Sequence, residues 1–414
     1  MTAGAGDERV RRWSIALVVI CQSTLSVSVG GMGLFLPLVQ ADLGLSFQQA
    51  GGIAAATSAV YAIMQIPSGY LADRWGGRVL FLGGLVGVNA LTLTLSIVNR
   101  YEWLLANQAI SGFFRALVFA PGLLLITTLF PPQRRATAMG LYVAGGFSSS
   151  ILLNLVGPAL VGPIGWRAIF ALSAVLGFAA IAGYLWVSRG LPEQPRPPVA
   201  PIRDGLRLLR HRGMWLLAVI QYVRLAVAQG LGFWLPSLIV VQKGYPLHVA
   251  GWLVAFGAAL TAPSNFLGGY LADRLRNPLL IVGTSLAVLA ASTTALAFVN
   301  SLWLLFVVVG VNGLFMQLYF GPLFAVPVTL FGRAQAGTTA GFSNFAANLG
   351  GLSFGYALGV VKEVTGSFDS GLFVLAGACV VAFGCVLALT RVRPPTQSDG
   401  QPQPEMVTAA SRER

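Results

Sequence analysis

Long apolar runs follow one another along almost the whole chain, separated by short loops rich in Arg, Pro or Gly. Each run approaches the roughly 20 residues a helix needs to cross the hydrocarbon core of a bilayer. Twelve are predicted, starting near Trp13, Gln49, Val79, Glu102, Thr137, Trp166, Met214, Leu247, Pro278, Leu302, Gly337 and Phe368. The first follows Arg9, Arg11 and Arg12, is too long for a signal-peptide core and lacks a clear cleavage site, so it is expected to be retained.

The runs repeat. Gly69-Tyr70-Leu71-Ala72-Asp73-Arg74 recurs as Gly269-Tyr270-Leu271-Ala272-Asp273-Arg274, six identities at an offset of 200 residues. Gln22, Gly33 and Pro37 match Gln221, Gly232 and Pro236, and Gly112, Phe119 and Pro121 match Gly313, Phe320 and Pro322 at nearly the same offset. The pattern therefore predicts an all-α membrane protein made of two parallel six-helix repeats. The first half is expected over residues 1–188 and the second over 214–393, joined by a polar, proline-rich cytoplasmic linker at 189–213 and followed by a disordered cytoplasmic tail at 394–414.

Composition agrees: 56% of the 414 residues are hydrophobic and 9% charged, with a mean hydropathy of +0.76. A net charge of +13 raises the question of nucleic acid, and the placement of the basic residues answers it. With the N-terminus inside, 20 of the 26 Lys and Arg fall in cytoplasmic segments, 4 outside (Arg100, Arg167, Lys243 and Lys362) and 2 within helices. This is the positive-inside pattern of a multi-pass protein of the cytoplasmic membrane with both termini cytoplasmic, so the bilayer is the expected partner and nucleic acid is not. Cys21, Cys379 and Cys385 lie in apolar runs and offer neither a disulfide framework nor zinc spacing, so no metal or other cofactor is expected.

The loop Gly69-Tyr-Leu-Ala-Asp73-Arg74-Trp-Gly76-Gly-Arg78, with its second copy after span eight, resembles the signature loop of the major facilitator superfamily. Gly165-Trp166-Arg167-Ala-Ile-Phe170 is similar to the usual start of that superfamily's span six, and the likeness covers residues 13–392. It implies the twelve-helix fold in two pseudo-symmetric halves, with spans one, four, seven and ten around a central cavity. Asp73, Arg74, Arg78, Asp273 and Arg274 then become gating candidates. A carboxylate at a cytoplasmic helix end can meet a helix N-terminus or Arg134 and Arg135, and the arginines can bind carbonyls or lipid phosphate.

Two charges fall inside the membrane, Arg115 in span four and Arg224 in span seven, at a cost of about 2.5 to 3.5 kcal/mol each at a helix centre. Arg115 shares a helical stripe with Gln108, and Arg224 shares one with Gln221. All 13 carboxylates fall in loops, tails or helix ends. A guanidinium does not shed its proton in proteins, so an anionic ligand is the natural partner of each arginine. Gln22 and Gln317 complete the expected substrate-binding set, with Arg115, Arg224, Gln108 and Gln221.

An Arg twelve residues before a Pro in span seven, here Arg224 and Pro236, resembles the organic-anion branch of the superfamily. Span four departs from the common pattern. Gln108 stands where an Arg usually precedes the Gly by four, and Arg115 stands where that branch often carries a proton-handling glutamate. His211 and His248 lie away from span centres, so no side chain offers proton coupling there.

The expected function is secondary active or facilitative transport of a small organic anion, such as a carboxylate, by alternating access, as exchange, uniport or symport with a substrate-borne proton. The chain is expected to work as a monomer and not as an enzyme: no nucleophile with a base, HExxH or GxSxG is present. The alternative is a proton-coupled drug or cation exporter. Such carriers need a buried carboxylate, and Gly157-Pro158-Ala-Leu-Val-Gly departs from their Gly-Pro-x-x-Gly-Gly pattern.

Overall fold

The computed structural model describes residues 3–128, 135–190, 211–331 and 336–391, and every regular element among them is helical. Helices begin within two residues of eleven of the twelve expected starts; the first begins ten residues early. Span one is Ala3–Leu34, followed by a short helix Leu36–Leu43; span two is Phe47–Trp75 and span three Gly77–Thr94. Spans five and six run together as Arg135–Val187, parted only at Gly165 (φ 76°, ψ 159°), a conformation that disfavours any residue with a Cβ. Span seven is Arg212–Ser237 with a π turn Leu238–Gln242, nine is Pro278–Phe298, eleven Ala336–Thr365 and twelve Asp369–Leu389.

Spans four, eight and ten are each broken in two, at one kind of residue. Span four divides into Tyr101–Ala116 and Phe119–Thr128, eight into Leu247–Ala259 and Thr261–Leu275, and ten into Leu302–Leu318 and Phe320–Phe331. Pro121, Pro263 and Pro322 each stand four residues beyond the break. A proline has no N–H for the carbonyl four residues back and its ring crowds that carbonyl, so the ladder ends at Leu117, Ala259 and Leu318. The breaks in four and ten coincide in the repeat.

Among the described residues eight helical segments are individually long and apolar enough to cross a membrane, one of them holding both five and six. Spans two, four and eleven fall outside that set, and all three carry polar side chains that face the interior cavity described below. Among the described residues every carboxylate lies near a helix end or in a loop.

Within each half the same close approach recurs. Gly112 on span four lies so near span two that a Cβ would collide with the Thr57 carbonyl, and Gly313 on span ten faces Gly257 of span eight, where a Cβ would stand 3.0 Å from the carbonyl oxygen. Residues 57 and 112 are the repeat mates of 257 and 313.

The halves meet at the end of the molecule that holds the loops 44–46 and 366–368. Span two packs there on span eleven, where Gln48 Nε2 donates to Tyr356 Oη at 3.0 Å and the Phe47 N–H to Glu363 Oε2 at 2.8 Å. Span one meets span seven at Gly33 and Phe233, and span five meets span eight at Asn154 and Gly251. Arg167 bridges loops of the first half at the same end, pairing with Asp42, donating to Val98 O at 3.1 Å and lying 4.3 Å over the Trp166 ring. The linker and the tail after residue 391 lie outside the described residues, apart from their first or last few positions.

Candidate functional site

A cavity of about 240 Å³ lies between the halves. Its described walls come from spans one, two and four of the first half and seven and eleven of the second. Spans one, four and seven are as the resemblance implies, spans two and eleven are additions, and span ten contributes no described lining residue. Among the described lining residues one side chain is charged, Arg115.

Arg115 occupies the last turn of the first helix of span four, directly before the proline-induced break, and is 8% exposed. Its Nη2 donates to Ser28 O at 2.9 Å, to Ser28 Oγ at 3.2 Å and more weakly to Gln108 Oε1 at 3.4 Å. Ser28 is itself held by Thr92 of span three, whose hydroxyl donates to its Oγ at 2.9 Å. Gln108 is oriented from behind: its amide donates to Asn107 Oδ1 at 3.1 Å, and Asn107 is fixed by bonds to Leu91 O and Thr94 Oγ1 on span three. Span three thus sets Asn107, Asn107 turns Gln108, and the Gln108 oxygen faces the guanidinium. One donor remains. Arg115 Nε is buried and has no hydrogen-bond partner, as is the hydroxyl of Ser111 one turn away. A buried cation with an unspent N–H on a cavity wall can accept an anion with little rearrangement.

Arg224 is placed differently. It is equally buried, but the side chains of span seven that line the cavity are Leu225, Gln229 and Phe233, a stripe one position on from that of Arg224. One residue turns a helix by about 100°. Arg224 Nε donates to Gln221 Oε1 at 2.7 Å, and its guanidinium lies 5.1 Å from the centre of the Phe320 ring on span ten. The two arginines therefore occupy equivalent crevices. Arg115 leans from span four towards span one, and Arg224 leans from span seven towards span ten, their repeat counterparts.

Of the six expected substrate-binding residues, Arg115 and Gln108 line the cavity. Gln221 is engaged by Arg224, Gln22 accepts from Tyr142 Oη at 2.7 Å, and Gln317 is half-buried; none of these three is a lining residue. The residues missed are Thr57, Ser58 and Tyr61 on span two and Gln229 on span seven. Spacings of three and four between polar groups on an apolar span could have found them, as they found Gln108 and Gln221.

At the opposite end from the inter-half contacts, Arg78 donates to Ser188 Oγ at 2.8 Å and stands 5.7 Å over the Tyr184 ring, tying the loop after span two to the end of span six. Arg274 donates to Tyr270 Oη at 3.3 Å, and Arg74 is exposed. The side chains of Asp73, Asp273, Arg134 and Arg135 lie outside the described residues.

A family model described as Major Facilitator Superfamily matches residues 18–355 and again 244–412. A Thermus thermophilus protein named as a probable nitrate/nitrite antiporter is 32% identical over 57% of the chain, and the chain spans 55% of that relative's length. The D-galactonate transporter of Escherichia coli is 23% identical over 86% of the chain and 90% of its own length. Among solved structures, a bacterial homologue of the human lysosomal transporter Spinster, crystallised inward-facing and occupied, superposes with a TM-score of 0.78 at 18% identity, covering 92% of this chain and 97% of that one.

Proposed function

We propose, from the premise that this chain belongs to the Major Facilitator Superfamily, that it carries a small organic anion across the membrane by alternating access, with Arg115 holding the anionic group. The chain is a transporter and not an enzyme. The observation that carries the anion reading is the charge of the cavity: its described walls hold one cation, no carboxylate, and an arginine N–H left unpaired. A fixed cation without a fixed counter-charge in a low-dielectric site is stabilised by an anionic ligand and repels a cationic one. The D-galactonate relative lends further support.

Orientation follows from the basic residues. With both termini in the cytoplasm, the end at which spans two and eleven meet faces outwards, and the described state is closed on that side. Moving the substrate requires those contacts to part and others to form at the Asp73 and Asp273 loops. Coupling is assigned to the substrate or to exchange. Among the described residues no carboxylate lies mid-span, His211 caps the start of span seven, and His248 packs on Trp252 in the first turn of span eight.

Uptake of labelled organic acids into proteoliposomes by the wild type and by Arg115→Gln tests this. Removing one charge-assisted anchor worth about 1.5 to 3 kcal/mol is expected to cut kcat/KM roughly 10- to 150-fold with the carrier still folded. Unchanged uptake would sink the assignment. Resistance to lipophilic cations that disappears with Arg115→Gln would favour the exporter reading instead.

A further inference from the structure

We infer that the ligand is a singly charged, amphipathic acid: one carboxylate-sized head at Arg115 and an apolar body lying along the wall of spans seven and eleven. This rests on the anion reading above and goes beyond it, because it sets the number of charges and the nature of the rest of the molecule.

The two walls of the cavity differ. The first half brings the arginine and Gln108, whereas Leu225, Gln229 and Phe233 of span seven, with Asn348 of span eleven, bring no charge at all. Arg224, one residue from Leu225, is turned into its own crevice and closed off by Gln221 and Phe320. A second carboxylate opposite Arg115 would be desolvated against Leu225 and Phe233 with no counter-charge, which costs more than any hydrogen bond there returns. Dianions are therefore disfavoured.

Polyhydroxy acids face a different obstacle. Two polar lining groups are already committed to their own helices: Thr57 Oγ1 donates to Ile53 O at 3.0 Å, and Asn348 Nδ2 to Asn344 O at 2.8 Å. Part of a chain of ligand hydroxyls would lie against Leu25, Val29, Phe119, Leu225 and Phe233, which offer no polar partner. An inorganic oxyanion would satisfy Arg115 and leave the space beside Leu25, Val29, Phe119, Leu225 and Phe233 unfilled. At about 240 Å³ the space is smaller than the pockets that enclose drug-sized ligands, so the body is that of a short or branched acid.

The test is thermal stabilisation and competitive flux with the purified full-length carrier, using isovalerate, acetate, glutarate, D-galactonate, nitrate and tetraphenylphosphonium as probes. Isovalerate is expected to bind at least about tenfold more tightly than each of the other anions. Leu225→Ala should weaken isovalerate about tenfold and leave the isovalerate-to-acetate ratio close to one, since the removed side chain touches only the body of the acid. Tighter binding of glutarate, D-galactonate or nitrate, or a Leu225→Ala carrier that keeps its preference for isovalerate over acetate, overturns this inference while leaving an anion carrier intact. Binding of tetraphenylphosphonium and of no anion overturns the anion reading as well.

Discussion

The carboxylate of Glu363 accepts the backbone N–H of Phe47 at 2.8 Å, so an acidic residue of the second half caps the first turn of a helix in the first. Phe47 begins span two, and its N-terminal amides have no partner within their own helix. The neighbouring Lys362 ammonium stands 5.5 Å over the Phe47 ring and 5.1 Å over Phe368, holding the same corner from the other side. The contact exists only while the halves are together at this end, so it stabilises one conformation and not the other.

Glu363→Gln should therefore shift the conformational balance. A solvent-exposed helix cap contributes about 0.5 to 1 kcal/mol, which corresponds to a two- to fivefold change in the ratio of closed to open. Modification of a single cysteine placed at Ser58, from the outer side and in a background free of the native thiols, is expected to quicken by that factor. An unaltered rate would mean that Phe47 and Glu363 take no part in gating.

Arg115→Lys separates charge from shape. A lysine keeps the cation but loses the planar fork, and it lacks the second donor nitrogen that would let it hold Ser28, as Nη2 does, and offer a free N–H to a ligand, as Nε would. Its KM for a transported anion should rise about tenfold, between the wild type and Arg115→Gln. A lysine variant equal to wild type would show that geometry at this position is immaterial.

Arg224→Gln is expected to behave unlike Arg115→Gln. Arg224 is packed on Phe320 and bonded to Gln221 away from the described cavity lining, so its loss removes a buried cation–π contact of up to about 2 kcal/mol without removing a ligand contact. Thermal stability should fall while KM stays within about threefold of wild type. A KM shift as large as that of Arg115→Gln would place both guanidinia on the substrate path.

The positions of the helices were legible in the sequence because crossing a bilayer imposes a length and a composition, and because the duplicated loop marked the repeat. The site was legible only in part. Charge alone identified Arg115 and Arg224 as unusual, but which face of span seven meets the cavity depends on how the halves pack, and a one-residue difference exchanges Arg224 for Leu225. Span two escaped notice for a related reason: Thr57, Ser58 and Tyr61 are mild in polarity and become significant only where the close approach at Gly112 brings that span beside Arg115. The span starting at Ala3 runs ten residues ahead of its apolar stretch because helical backbone can continue past the region that the bilayer requires.

The repeat supplies its own control for that close approach. At Gly112 the span-two carbonyl of Thr57 lies where a Cβ would have to go, and backbone cannot step aside as a flexible side chain can. At the equivalent Gly313 the nearest atoms to a Cβ are backbone as well, but the Gly257 carbonyl oxygen stands 3.0 Å away, so the displacement required is only a few tenths of an ångström and smaller than at Gly112. Gly112→Ala should thus cost about 1 to 3 kcal/mol as overpacking, and Gly313→Ala less. The melting midpoint of the purified carrier, followed by tryptophan fluorescence, should fall further for the first than for the second. Because Thr57 also lines the cavity, Gly112→Ala should weaken anion binding in addition, whereas Gly313→Ala should leave it unchanged. Equal destabilisation by the two, with no effect on binding, would remove the link drawn between span packing and the shape of the site.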